Sequence, residues 1–159
     1  MPTDPCVKNN QNSPQYIFSG SINLIVGGWD RFINPFSDAR IVNLANENST
    51  CNIFPNYPIA MSGATGAIVD GHPIICGGLS EGGNVHSECY HQNKANNSWT
   101  LLTKMSTKRA GSASVPVKGK LLVLGGHDDA KFLADVRSVC LFELSHRQGD
   151  VTQIRLWLA

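Results

Sequence analysis

The sequence predicts an all-β fold assembled from repeated four-stranded antiparallel sheets. Three short apolar runs each close on Gly-Gly: Ile22-Asn-Leu-Ile-Val-Gly27-Gly28, Pro73-Ile-Ile-Cys-Gly77-Gly78 and Lys120-Leu-Leu-Val-Leu-Gly125-Gly126. The intervals from Gly27 to Gly77 and from Gly77 to Gly125 are 50 and 48 positions, a period that marks repetition of one supersecondary unit. Other positions keep step, because Gly63 precedes Gly77 by 14 residues and Gly111 precedes Gly125 by the same 14.

Each unit can be read element by element. A short strand of small residues (Gly63-Ala-Thr-Gly-Ala-Ile-Val; Gly111-Ser-Ala-Ser-Val-Pro-Val) meets a Gly-containing turn at Asp70-Gly71 or Lys118-Gly119. The apolar strand ending in Gly-Gly follows, so the two form a β-hairpin. After a variable polar stretch comes a third β-like run, at Asp38 to Leu44, Ser87 to Gln92 and Val136 to Leu144. A polar turn then leads to a fourth run, clearest at Trp99-Thr-Leu-Leu.

These residues resemble the kelch repeat, whose signature is an apolar run, Gly-Gly, a Tyr in the next strand and a Trp several residues later. The middle unit carries Gly77-Gly78, Tyr90 and Trp99 in order. The third keeps Gly125-Gly126, with Leu141 or Phe142 near the Tyr place, and the first keeps Gly27-Gly28 and its apolar strand. The resemblance implies a kelch-type β-propeller segment over residues 15–159, with blades near 15–55, 62–103 and 110–159, after an irregular segment at 1–14. The glycines are expected at strand ends that need positive φ or close backbone approach. Tyr90 and Trp99 are expected to pack one blade on the next while their polar atoms find backbone partners.

Propellers close with 4 to 8 blades, and about three are legible, so an incomplete ring is expected. An open blade face of ~500 Å² would forgo about 12 kcal/mol of burial. The expectation is therefore that the remaining blades come from a longer chain or from self-association.

Composition sets bounds on function. A formal charge of +1 with 16% charged residues gives no nucleic-acid footprint. No apolar stretch approaches the length of a membrane-spanning helix, and Met1 to Gln15 lacks the apolar region of a signal peptide. No membrane insertion is expected. Cys76 and Cys89 fall in neighbouring strands of one unit, where adjacent Cα atoms stand about 4.5–5.5 Å apart, so a disulfide and two buried thiols are both open readings. Cys140 is read into the place of Cys89 in the third unit, with Leu124 as its counterpart, and Cys6 and Cys51 are unassigned. The sequons at Asn48 and Asn96 both fall in the turn between third and fourth strands, and glycans there would share one face. Together these features favour an extracellular or secreted protein, with the cytoplasm as the alternative.

Recognition is expected on the opposite face, which carries Trp29 to Ser37, Leu79 to His86, His127 to Asp135 and the fourth-to-first segments Pro55 to Ser62 and Thr103 to Arg109. Trp29, Asp30, Arg31 and Phe32 form the cluster most like an interface, Arg109 adds a cation, and His127, Asp128 and Asp129 offer an acidic counterpart. Catalysis has little support. Kelch-like propellers include copper-radical oxidases resembling galactose oxidase, but the Tyr-Cys crosslink and convergent His and Tyr ligands of that group are not recognisable here. His86, His91, Cys76 and Cys89 lack the paired spacing of a zinc site, and no cofactor is expected. The reading is a non-catalytic protein-interaction scaffold. A propeller fragment of a copper oxidase is the alternative, and a ubiquitin-ligase substrate adaptor within a longer chain is the second.

Overall fold

The computed structural model describes residues 15–19, 22–43, 45, 52–93, 95–133 and 139–140. Among them the fold is all-β, with antiparallel sheets and a single 3-10 turn at Glu81–Gly83. The first sheet has strands β1 (Gln15–Ser19), β2 (Ile22–Val26), β3 (Ala39–Asn43) and β4 (Asn52–Phe54), paired in sequence order. The second repeats it with β5 (Thr65–Val69), β6 (His72–Cys76), β7 (Glu88–Asn93) and β8 (Ser98–Lys104). The third comprises β9 (Ala113–Val117), β10 (Lys120–Leu124) and β11 (Val139–Cys140). Residues 1–14, with Cys6, lie outside the described residues, as do Asn48, Cys51, Leu141 and Phe142.

The expected hairpins form where the turn chemistry placed them, with Val69 opposite His72 and Val117 opposite Lys120. Asp70 and Gly71 both have positive φ, as do Lys118 and Gly119, which matches the twist of a tight hairpin. The sheets lie side by side with β1 next to β5 and β5 next to β9. Ser114 bridges the last pair, accepting from Thr65 Oγ1 at 2.8 Å and donating to the Gly66 carbonyl at 2.9 Å.

Alternation along the strands divides the apolar residues between two interfaces. Ile75 and Ile68 pack toward Ile17, Leu24, Val26, Tyr57 and Met61 of the first sheet's side. Ala67, Val69, Ile74 and Cys76 pack toward Leu121 and Val123 of the third sheet. The middle sheet is thus buried on both faces, and Pro73 through Cys76 reads as an unbroken buried run instead of an alternating one. On the third sheet the positions equivalent to Val69 and Ala67 are Val117 and Val115, and they stay exposed; Val117 is 46% accessible where Val69 is 2%.

One register differs from the sequence reading. Leu121 pairs with Cys140 and Leu122 with Val139, so Cys140 does not take the place of Cys89 opposite Leu124. The connection from Gly126 closes one residue earlier than its counterpart, Leu133 N–H bonding Gly126 O where His86 N–H bonds Gly78 O.

Candidate functional site: the loop face

The second-to-third loops and the fourth-to-first segments meet at one end of the sheets, joined by backbone hydrogen bonds that repeat from unit to unit. Gly28 N–H donates to Met61 O at 2.8 Å and Met61 N–H to Phe36 O at 2.9 Å. One repeat later, Gly78 N–H donates to Arg109 O at 2.9 Å and Arg109 N–H to His86 O at 3.0 Å. Each segment then grips the next unit, through reciprocal pairs between Ser62 and Leu79 and between Ala110 and His127.

This clamp explains the glycine pairs. Gly77 has φ 65°, and a Cβ there would fall inside 3.0 Å of the Arg109 carbonyl oxygen; Gly27 stands in the same relation to Met61. Both the conformation and the space exclude a side chain.

Tyr90 and Trp99 do what aromatic residues with a polar atom are suited to do between sheets. The Trp99 indole N–H donates to Pro55 O at 2.8 Å, and its ring meets Phe54 and Tyr57 edge-on at 5.7 and 5.1 Å. Tyr90 meets Tyr57 edge-on at 5.3 Å. Tyr57 is the hub of this cluster and escaped the sequence reading, since it lies in an irregular segment. Its hydroxyl donates to Ile75 O at 3.3 Å, and burial pushes its acidity far outside the physiological range. The only available signal was a tyrosine between two prolines, Pro55 and Pro58.

Cys76 and Cys89 are paired directly across β6 and β7, with sulfur atoms at disulfide distance and both side chains fully buried. Asn96 is exposed in the β7–β8 turn at the opposite end, its side-chain oxygen accepting from Ser98 Oγ at 2.8 Å.

The recognition residues sort into tips and supports. Asp30 is a support: its carboxylate accepts from Phe32 N–H at 2.8 Å and Asn34 N–H at 3.0 Å, and the Asn34 contacts hold its pKa below the usual range. Asp128 does the same for Ala130 and Lys131, whose N–H groups likewise lower its pKa. Asp129 reaches the neighbouring loop, accepting from Val85 N–H at 3.3 Å and pairing with Lys108. His127 lies at a loop base against Phe132, and half-buried Trp29 holds the corresponding place, bridged to Pro35. Arg109, expected as an exposed cation, is only 1% accessible, and its guanidinium donates to Gly125 O at 2.7 Å. It locks the middle unit onto the third and presents no charge to a partner.

What projects is Arg31-Phe32-Ile33. Phe32 and Ile33 are 68% and 69% exposed, and the Arg31 guanidinium lies over the Phe32 ring at 4.7 Å. Phe132 projects from the third loop at 87% exposure. Ile33 and Phe132 were missed because exposed apolar residues carry no local pattern that separates them from core. Among the described residues no group of three His, Cys, Asp or Glu side chains stands close enough to hold a metal ion. His86 is engaged by Ser80 Oγ at 2.8 Å and by Glu88.

No protein-family profile matches the sequence, and no curated protein matches it. A solved structure titled "Structure of YjhT" is similar in fold, with a TM-score of 0.66 at 16% identity over 76% of this chain and 40% of that one. The chain therefore spans less than half the length of that neighbour. No helix among the described residues is long and apolar enough to cross a membrane.

Proposed function

We propose that this chain is a kelch-type β-propeller segment serving as a non-catalytic protein-interaction scaffold. The observation that carries the reading is the tip Arg31-Phe32-Ile33, two exposed apolar side chains and a stacked guanidinium on a loop whose base is fixed by backbone clamps. Aromatic residues and arginine on a rigid frame are the usual anchors of a protein interface. The repeated Gly-Gly, Tyr and Trp positions support the kelch assignment through their inter-sheet roles. The exposed β9 face supports further blades, from a longer chain or a second copy. The buried cysteine pair and the exposed sequon at Asn96 support an extracellular setting.

The test is affinity capture from the native source with the full-length protein and with Phe32→Ala and Arg31→Ala forms. A partner held by the wild type and lost from either variant, with circular dichroism unchanged, supports the scaffold. Identical capture by all three forms sinks it.

A further inference from the structure

The strands of the middle sheet carry two histidines where the strands of its neighbours carry none. His72 opens β6 and His91 lies on β7 opposite Ile74, so the two are diagonal neighbours on one face. Their rings stand 6.5 Å apart, edge to face at 67°. Alternation along the strands sets that face: Ile74, Cys76 and Cys89 share it and pack toward the third sheet. The half-buried pair therefore sits at the rim of that interface, at the end that holds the Asp70-Gly71 turn and Asn96 and away from the loop face.

The other two sheets show that the fold does not require these imidazoles. On the first sheet the same places hold Ile22, which opens β2, and Ile41, which lies opposite Leu24; on the third they hold Lys120 and Val139. An imidazole also brings a cost that the isoleucine lacks, because His91 Nδ1 is buried and meets no hydrogen-bond partner. Both rings are in the form a metal ion accepts. The Gln92 carbonyl, which can only accept, lies 3.5 Å from His72 Nδ1, so the proton belongs on that nitrogen and Nε2 keeps the lone pair. Burial and the neighbouring His72 hold His91 below its ordinary pKa, so its ring is uncharged at neutral pH.

We infer that His72 and His91 bind one divalent transition-metal ion of the kind that prefers imidazole, Zn²⁺ or Cu²⁺, which clips β6 to β7. Metal–nitrogen distances of about 2.0–2.1 Å place two rings on one ion ~5–6 Å apart, and the broad χ2 well of histidine closes the remaining ~1 Å. Among the described residues no third His, Cys, Asp or Glu joins the pair, so water completes the coordination shell. Ca²⁺ and Mg²⁺ require oxygen ligands and do not fit. The site goes beyond the scaffold reading and is independent of it, since no loop tip takes part.

The experiment titrates the chelator-treated full chain with zinc chloride and with copper(II) chloride by calorimetry, and follows the melting temperature in parallel. One ion per chain and a higher melting temperature are expected with at least one of the two salts, and no response to calcium or magnesium chloride. His91→Ile gives the middle sheet the residue that the first sheet has at that place, so it should fold while losing the metal-dependent rise and about tenfold or more in affinity. His72→Gln, at the strand end, should show the same losses and decides the matter if His91→Ile does not fold. His86→Ala should bind as the wild type does. Absence of one-to-one binding in the wild type, or binding at wild-type strength in a folded form of either variant, would overturn the inference. Loss of binding in His86→Ala would overturn it in favour of an ion on the loop face.

Discussion

The Trp99 indole donates a 2.8 Å hydrogen bond to the carbonyl of Pro55, forty-four residues earlier and on the connection leaving the neighbouring sheet. The ring also closes the edge-to-face cluster with Phe54 and Tyr57. Replacing Trp99 with Phe keeps most of the ring and removes the donor, which should cost about 1 kcal/mol. Trp99→Ala also opens a cavity between the sheets and should cost about 3 kcal/mol or more. Urea denaturation of the two variants measures both, and equal losses would show that the hydrogen bond, not the packing, carries the contact.

Two glycines with positive φ should behave differently when given a methyl group. Gly77→Ala places its Cβ against the Arg109 carbonyl and should cost about 3 kcal/mol or more. Gly83→Ala has open space and bears only the conformational cost, about 1 kcal/mol. Thermal melts of the pair test whether close approach or backbone conformation dominates at the Gly-Gly positions.

If Cys76 and Cys89 are bonded in the native protein, non-reducing peptide mapping should recover their two peptides as one species that separates on reduction. The double Cys→Ala variant should then lose about 2–4 kcal/mol, the range for a short closed loop. Recovery of both thiols free after trapping at native pH would remove the bond and weaken the extracellular reading.

Stability should fall in two steps as pH is lowered. His91 is held below its ordinary pKa by burial and by His72, so the unfolded chain takes up a proton first and stability declines as pH drops through about 6.5. Glu88 is held down at about 2 by its hydrogen bond from Lys104, so its contribution is complete above about 4.5 and is lost as pH falls toward 2. The partner lysine is solvent-exposed, which limits the second step to about 0.5–1 kcal/mol. Melting temperature followed against pH should show a smaller acid step for Glu88→Gln, and an unchanged profile in that variant would refute the assignment.

The periodic parts of the fold were legible in the sequence, because period and turn chemistry act locally. Gly-Gly spacing located β2, β6 and β10, and Asp70-Gly71 and Lys118-Gly119 located the hairpins of the last two. Tyr90 and Trp99 were recognisable by family resemblance as inter-sheet residues, and they serve as such. The burial of Arg109 was illegible, since its carbonyl partner Gly125 belongs to the next unit and a charged residue in a loop reads as solvated. The register of Cys140 was legible but misread: by the 48-residue period Cys140 answers to Gln92, and position 137, not 140, answers to Cys89. Ile33 was missed because a β-branched residue in a polar loop gives no sequence signal for the left-handed backbone it adopts, φ 67°.

The reciprocal bonds of Ser62 with Leu79 and Ala110 with His127 fasten the bases of the second and third loops, and the bonds joining Gly28, Phe36 and Met61 hold the base of the first, while residues 31–33 take no part in that fastening. Holding and displaying are therefore separate tasks assigned to separate residues of one loop. Residues 31–33 can change identity without loosening the stack, so the same frame can be re-addressed to a new partner by substitution at a few outward positions. A change at a loop base, in contrast, would be felt one sheet away.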